Sequence, residues 1–275
     1  MLPDGGSAPP GPIPFHVHAS AENTNQGLIR LRSRKWRGAI YSLIVVILAW
    51  WALSALLARP IVPSPYDVLL NIIATFTAKI STHVLYSLGR ILAGILLAAL
   101  LGVPLGFLMG YYDRIDRLLS PLVYFTYPIP KLALLPVVML LFGLGEVSKL
   151  IMIVLIVVFQ VVITSRDAVK SIPAETFHSL QSLGASKIQT FTEIILPASL
   201  PEVLTAIRLA LGTAVSILFF TETFGTEYGM GYFIMDAWMR VNYLDMYAGI
   251  VVLSFMGFCI FSAIDAAETH LCAWR

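Results

Sequence analysis

The sequence predicts an all-α membrane protein with about six transmembrane helices. Hydrophobic residues make up 58% of its 275 residues and charged residues only 12%, with a mean hydropathy of +0.83. A soluble domain with so few charges would aggregate, so the composition indicates that the bilayer is the solvent. Apolar stretches long enough to cross about 30 Å of hydrocarbon recur along the chain. They lie near residues 38–58, 84–110, 119–145, 149–165, 197–225 and 246–267.

The first 37 residues differ from the rest of the chain. They are rich in Pro, Gly, Ser and Asn, and they end in a basic cluster at 30–37. Low hydrophobicity and many prolines predict a disordered tail over residues 1–37, followed by a membrane domain over residues 38–275. The apolar run after the cluster is too long for a signal peptide and lacks a small-residue cleavage site, so it is expected to remain as the first span.

The basic residues predict the orientation in the membrane. Most lie in segments that six crossings place on the same side as both termini: the cluster at 30–37, Arg114, Arg117, Arg166, Lys170, Lys187 and Arg275. Fewer lie on the other side: Arg59, Lys79, Lys149 and Arg240. Because basic loops stay in the cytoplasm, both termini and the segment 171–197 are expected to be cytoplasmic.

The second span carries small residues at every fourth position. These residues are Gly94, Ala98, Gly102, Gly106 and Gly110. A stripe of this kind lets another backbone approach closely, so we expect this helix to pack inside the protein. Pro104 in the same span, and Pro128, Pro130 and Pro136 in the third, predict kinked or interrupted helices. Such breaks occur beside substrate paths and also in inert bundles.

A polar, helix-patterned insert covers residues 171–197, between the fourth and fifth spans. Pro173 suits the first turn of a helix, and Gly184 suits the left-handed residue that ends it. Ser186 and Gln189 have the spacing of a capping box and predict a second helix that ends near Pro197. An exposed apolar patch is expected on this helix–turn–helix. Either a protein partner covers it, or it packs on the chain's own bundle.

The order of spans and several motifs resemble the permease subunits of ABC importers in the nitrate/sulfonate/taurine/bicarbonate group. In the insert, the family motif is matched by Gly184-Ala185-Ser186, Ile194, Leu196 and Pro197 at the expected intervals. Further matches are Ser87 to Arg90, Ile129 to Pro136, Phe142 to Glu146 and Arg208 to Gly212. The similarity covers about residues 80–267, and it implies an importer-type permease fold with cytoplasmic coupling helices.

This resemblance implies a non-catalytic subunit in the plasma (inner) membrane of a bacterium or archaeon. The chain has no Gly-x-x-x-x-Gly-Lys-Ser/Thr loop, so no cofactor or metal is expected on it, and ATP-Mg is expected on a separate ATP-binding subunit. The implied partners are that subunit, an extracytoplasmic solute-binding protein and a second permease copy, with a homodimer expected; no nucleic acid is expected. The implied solute is a small anion such as nitrate, a sulfonate, taurine or bicarbonate. Alternatives are a permease for a vitamin precursor or other small organic solute, and a secondary transporter.

The resemblance also implies that the insert contacts the ATP-binding subunit. The assigned residues are Glu175, Phe177, His178, Leu180, Gly184, Ala185, Ser186, Ile194, Leu196 and Pro197. Where the family has Glu-Ala-Ala, this chain has His178-Ser179-Leu180 and lacks the carboxylate. Glu175 lies three residues earlier on nearly the same helix face and is a candidate substitute. His178 either makes coupling pH-sensitive or is an interfacial histidine without a switching role.

Ionisable and polar residues within the spans are candidates for the translocation path, because they are costly in lipid. The assigned residues are Tyr127, Lys131, Thr221, Glu222 and Thr223. Lys131 or Arg208 would attract an anion, and Glu222 would shape the outer gate. The alternative for each is a structural pair inside the bundle, and for Arg208 this pairing is the favoured interpretation.

Overall fold

The computed structural model describes residues 41–57 and 60–274. Within these ranges the regular elements are all helical, as the composition predicts. The helices are α1 Tyr41–Leu57, α2 Pro65–Thr75, α3 Ser81–Tyr111, α4 Asp113–Thr126, α5 Leu135–Phe142, α6 Glu146–Lys170, α7 Ala174–Ser182, α8 Lys187–Thr190, α9 Leu196–Glu222, α10 Met230–Met239 and α11 Tyr243–Leu271. The predicted disordered tail, residues 1–37, lies outside the described part of the chain.

The described residues divide into two compact units, which meet between residues 65 and 66 of the chain. In the first unit, α1 is an apolar helix that is shorter than the helices long enough to span a membrane. Of the first predicted span, 38–58, only the part in α1 lies among the described residues. The helices that follow belong to the second unit, apart from the first residue of α2.

Four continuous helical segments are long and apolar enough to cross a membrane: Pro65–Tyr111, Glu146–Lys170, Lys187–Glu222 and Tyr243–Leu271. A fifth crossing results if α4 and the segment Lys131–Phe142 are counted together as one span. Among the described residues, the expected six spans therefore correspond to four or five segments, with α1 as a shorter apolar helix in addition.

The third predicted span, 119–145, is interrupted as its prolines predict. α4 ends before the gap that contains Pro128 and Pro130, and a 3-10 turn at Lys131–Leu134 leads into α5. The chain bends by 80° between α4 and the segment Lys131–Phe142. Proline has no amide donor and disfavours a helical residue before it, so two prolines two residues apart end the helix here.

The small-residue stripe of α3 lies against α6. A β-carbon added to these glycines would lie 2.5 Å from Ile153 at Gly94, 2.9 Å from Val161 at Gly102, 2.6 Å from Ser165 at Gly106 and 2.6 Å from Val169 at Gly110. The contacts advance together along both helices, so α3 and α6 run in the same direction. The chain between them must therefore return across the bundle, and the bent pair of α4 and α5 provides that return. Pro104 lies within this packed stretch and does not end α3.

The second helix of the insert does not end near Pro197, contrary to the sequence prediction. α8, a π-turn at Phe191–Ile195 and α9 form one continuous helix of 36 residues. In a regular helix a proline ring meets the carbonyl four residues earlier, and the wider π-turn directly before Leu196 relieves that contact. One helix thus runs from the insert to the opposite end of the bundle, over about 50 Å.

Candidate functional site

The insert forms the helix–turn–helix that its sequence predicts. Pro173 precedes α7, and Gly184 adopts the left-handed conformation with φ of +76° after α7 ends. The Gln189 backbone N–H donates to Ser186 Oγ at 3.3 Å, and the Ser186 N–H donates to Gln189 Oε1 at 2.8 Å. The predicted capping box is confirmed, and local hydrogen bonds fix the turn between α7 and α8.

The residues assigned to the contact with the ATP-binding subunit fall into two groups. The exposed members are Glu175, His178, Gly184, Ser186 and Leu196. The buried or half-buried members are Phe177, Leu180, Ala185, Ile194 and Pro197. The first group presents its side chains or backbone openly to a partner, and the half-buried members present part of their surface.

Phe177 and Ile194 hold the insert against the bundle. The ring centroid of Phe177 lies 6.0 Å from that of Tyr111, and Phe177 packs on the core cluster that contains Ile195. Ile194 is 6% exposed. Ile194 is enclosed by the chain's own core, whereas Phe177 is half-buried and keeps part of its surface open. The assignment of both residues to the partner contact stays a prediction.

The apolar surface that remains open lies at the turn between α7 and α8. Leu183 is 83% exposed and Ile188 is 76% exposed. Both flank the capping box of Ser186. The sequence analysis did not assign Ile188 to the contact. An apolar residue in the first turn of a solvent-facing helix was the feature that could have indicated it.

Lys131 lies at the bend of the interrupted span. Its Nζ donates to the Tyr127 carbonyl at 3.0 Å and lies 4.9 Å from the centre of the Phe159 ring. Among the described residues, no carboxylate lies within 4.0 Å of this ammonium group. One carbonyl and the faces of aromatic rings stabilise a cation but leave its charge without a counter-ion. Lys131 is half-buried, and Tyr127 is 53% exposed.

The other three path candidates lie at the end of α9. Thr221 and Glu222 are both fully buried within the chain itself. Thr221 Oγ1 donates to the Leu218 carbonyl at 3.0 Å, and Thr223 Oγ1 donates to the Phe220 carbonyl at 2.7 Å. Both side chains are enclosed in this structure, and the assignment of Thr221 and Glu222 to the path stays a prediction. Thr223 is half-buried and keeps its assignment.

Glu222 belongs to a buried polar network, which is the structural pairing that the sequence analysis left open without naming the partners. Its carboxylate accepts from Ser87 Oγ at 2.8 Å, from Arg90 Nη1 at 2.7 Å and from the Gly231 N–H at 2.9 Å. The Arg90 side chain is 4% exposed and that of Glu222 is 1% exposed. Buried charges require partners of this kind, so an arginine and a glutamate in apolar helices were the signal for the pair.

Arg90 has further partners on two other elements. Its Nε donates to Glu146 Oε2 at 2.6 Å, and its Nη2 also contacts the Glu146 carboxylate. Its Nη1 donates to the Tyr228 carbonyl at 2.7 Å. One guanidinium therefore joins α3 to the start of α6, the end of α9 and the loop before α10.

Arg208 pairs with carboxylates, as the favoured interpretation predicts. Its Nη1 donates to Asp265 at 2.6 Å and lies 3.2 Å from Glu268, both on α11. The alternative role of Arg208 as an anion-attracting residue is corrected, because two carboxylates already surround the guanidinium.

A second ion cluster lies at the insert end of the bundle. Asp116 of α4 accepts from Arg166 Nη2 at 3.1 Å and from Ser120 Oγ at 2.6 Å, and it contacts Lys170 Nζ. Asp116 is 8% exposed. This cluster joins the start of α4 to the end of α6, immediately before the insert.

Several known proteins have sequences similar to that of this chain. Residues 102–271 match the family described as binding-protein-dependent transport system inner membrane component. The taurine transport system permease protein TauC of Escherichia coli is 32% identical over 264 residues, covering 90% of this chain and 96% of that protein. The formylaminopyrimidine transport permease protein ThiX of Halalkalibacterium halodurans is 30% identical, covering 84% of this chain and 93% of that protein.

A solved structure has the same fold. A chain of the MetNI methionine ABC transporter superposes with a TM-score of 0.59 at 19% identity, covering 68% of this chain and 95% of that chain.

This chain belongs to the binding-protein-dependent transport system inner membrane component family. It is a multi-pass membrane protein and the permease subunit of an ABC importer, in the group that contains the taurine and sulfonate permeases. The permease is not an enzyme: in this family ATP is used by a separate ATP-binding subunit, and a binding protein is the further partner. The resemblance seen in the sequence motifs is thereby confirmed.

Proposed function

We propose that this permease imports taurine or a closely related small sulfonate. The first support is its identity of 32% with the taurine permease TauC over nearly the full length of both chains. The second is Lys131, a cation at the break of a membrane span that has no carboxylate partner among residues 41–57 and 60–274. A sulfonate is a permanent anion near neutral pH, so it complements such a cation.

The positive charge of Lys131 favours an anionic solute over a neutral one. The relative ThiX is a permease for a formylaminopyrimidine, which has no anionic group. A lysine at membrane depth is costly unless something compensates its charge. An anion in transit gives that compensation, and a neutral heterocycle does not.

The path is formed with a second copy of the chain, giving a homodimer. The bent pair that carries Lys131 also exposes apolar side chains: Leu118 is 76%, Phe125 77% and Leu140 86% exposed. Lipid would surround these apolar side chains readily but would leave Lys131 in hydrocarbon. A second protein copy on this face encloses the lysine in a path, together with Tyr127 and Thr223.

The insert couples transport to ATP hydrolysis. It lies on the cytoplasmic side with both termini, because Arg114, Arg117, Arg166 and Lys170 lie at the same end of the bundle. The ATP-binding subunit binds the exposed turn at Leu183 and Ile188. Glu175 supplies the carboxylate that the family motif has in this contact. Closure of two ATPase subunits then moves the insert and switches the path from inward- to outward-facing.

The test is uptake of radiolabelled taurine into proteoliposomes that contain the permease, its ATP-binding subunit and its binding protein. We expect ATP-dependent uptake that excess alkanesulfonate competes away and that excess formylaminopyrimidine leaves intact. Lys131→Gln is expected to weaken the apparent affinity for taurine by about tenfold, the effect of losing one charged hydrogen bond. Lys79→Gln, at an exposed lysine outside the bend, is the matched control. Competition by formylaminopyrimidine, nitrate or bicarbonate but not by sulfonates would reject the proposed solute.

A further inference from the structure

We infer that Arg90 is a positioning residue for energy coupling: it ties the outer end of α9 to α3, so that movement of the insert reaches the extracytoplasmic loop before α10. This inference rests on the proposed role of the insert in coupling.

α9 is continuous with the second helix of the insert. The helix Lys187–Glu222 starts at the capping box of Ser186 and ends at Glu222. The helix is unbroken from Lys187, next to the turn, to the buried carboxylate of Glu222 at its far end. A displacement of the insert is therefore carried along the helix axis to Glu222.

α3 and α6 form one rigid pair. Along the stripe from Gly94 to Gly110 the two helices are so close that a β-carbon would overlap side chains or backbone of α6. Packing at this distance transmits strain with little compliance. Two stiff units, the α3–α6 pair and α9, thus meet at the outer end of the bundle.

Arg90 lies where the α3–α6 pair meets the end of α9. It donates to Glu222 of α9 at 2.7 Å and to the Tyr228 carbonyl of the following loop at 2.7 Å. Ser87, one turn earlier on α3, donates to Glu222 at 2.8 Å and accepts from the Met230 N–H at 2.8 Å. The end of α9 and the start of α10 are thereby held to α3 by the same two side chains.

Burial makes these links stiff. Arg90 and Glu222 are shielded from water, so a charged hydrogen bond between them does not exchange readily with solvent. Glu146 differs, since its side chain is 53% exposed and its element, α6, is already held to α3 by the stripe. The link from Arg90 to Glu222 should matter for coupling, and the link to Glu146 should not.

A structural role alone would lower the amount of assembled complex and leave each complex coupled. A positioning role separates ATP hydrolysis from movement at the outer end. The experiment therefore measures that movement directly, without reference to the solute.

The probe is a cysteine at Glu227, an exposed residue of the outer loop, in a chain whose two cysteines carry Cys259→Ala and Cys272→Ala. Reaction of this cysteine with a membrane-impermeant maleimide is timed in the assembled complex, with and without ATP-Mg. In the otherwise unchanged chain, we expect ATP to change the labelling rate. With Glu222→Gln, we expect the ATP effect to fall about tenfold, as for one lost charged hydrogen bond, while ATP hydrolysis continues.

Glu146→Gln is the matched control, and it should keep the ATP effect within about twofold because Glu146 is 53% exposed and the glycine stripe holds α6 to α3 without it. Ser87→Ala is a milder change at the same contact and should give an intermediate loss, which keeps the test valid if Glu222→Gln does not assemble.

The inference is overturned if Glu222→Gln or Ser87→Ala retains the full ATP effect, if Glu146→Gln loses as much as Glu222→Gln, or if the loop of the otherwise unchanged chain does not respond to ATP. A complex that shows the ATP effect but does not take up taurine rejects the proposed solute and leaves the role of Arg90 in place.

Discussion

Gly106 of α3 packs directly against Ser165 of α6: a β-carbon on Gly106 would lie 2.6 Å from the Ser165 β-carbon and 2.6 Å from the Val162 carbonyl oxygen. The neighbouring atoms belong to backbone or to a Cβ, so they cannot rotate away. This contact explains why small residues recur along α3.

Gly106→Ala is expected to destabilise the permease, because the added methyl group forces the two helices apart. The expected loss is about 1–3 kcal/mol, as for overpacking of a dense core. Thermal unfolding in detergent gives the measurement. Gly212→Ala in α9 is the control, since no atom lies within 4 Å of a β-carbon at that position and alanine favours a helix. Equal melting temperatures for the two variants would contradict the close packing of α3 on α6.

Ser186→Ala should loosen the start of the long helix that ends at Glu222. Loss of an N-cap costs about 1 kcal/mol. Hydrogen exchange at the Gln189 amide, which donates to Ser186 Oγ, should then quicken. The control is Ser179→Ala, where the lost hydroxyl donates only to the Glu175 carbonyl within an exposed helix. Unchanged exchange at Gln189 in the Ser186 variant would show that the capping box does not hold the turn.

Glu175→Ala is expected to lower ATP hydrolysis coupled to transport if Glu175 replaces the carboxylate that the family has at the position of His178. The reason is loss of a charge at the contact with the ATP-binding subunit. The double variant Glu175→Ala with His178→Glu should regain most of that activity, because it restores a carboxylate one turn away on the same face. Glu202→Ala, at an exposed carboxylate outside the insert, controls for charge alone. Wild-type coupling in Glu175→Ala, with complete assembly, would reject the substitution.

Asp116→Asn should destabilise the insert end of the bundle by about 2 kcal/mol, since it leaves Arg166 and Lys170 without their shared carboxylate. The loss is measured as a shift in the thermal unfolding of the purified permease. Asp113→Asn removes an exposed carboxylate from the first turn of the same helix and should change stability by much less. If both variants unfold at the same temperature, the Asp116 cluster does not stabilise the bundle.

Local rules predicted the parts of this fold that depend on local chemistry. The capping box of Ser186, the left-handed Gly184 and the break at Pro128 and Pro130 follow from the backbone preferences of those residue types. The stripe on α3 was predictable for the same reason, since spacing alone places small side chains on one face.

Tertiary contacts were less predictable. The π-turn that carries the helix past Pro197 was not predictable from local sequence, because Ile194 and Ile195 pack against the bundle there. Glu222 was assigned to the path for its charge. Its pairing with Arg90 joins residues 132 positions apart, and a single sequence does not reveal which charges meet.

Taurine uptake by proteoliposomes with and without the ATP-binding subunit tests most directly whether this permease is driven by ATP. We expect uptake only when that subunit is present and ATP-Mg is supplied on the side where an impermeant maleimide labels a cysteine placed at Leu183. Full uptake by the permease without its ATP-binding subunit, or labelling of Leu183→Cys from the side of the binding protein, would contradict this expectation.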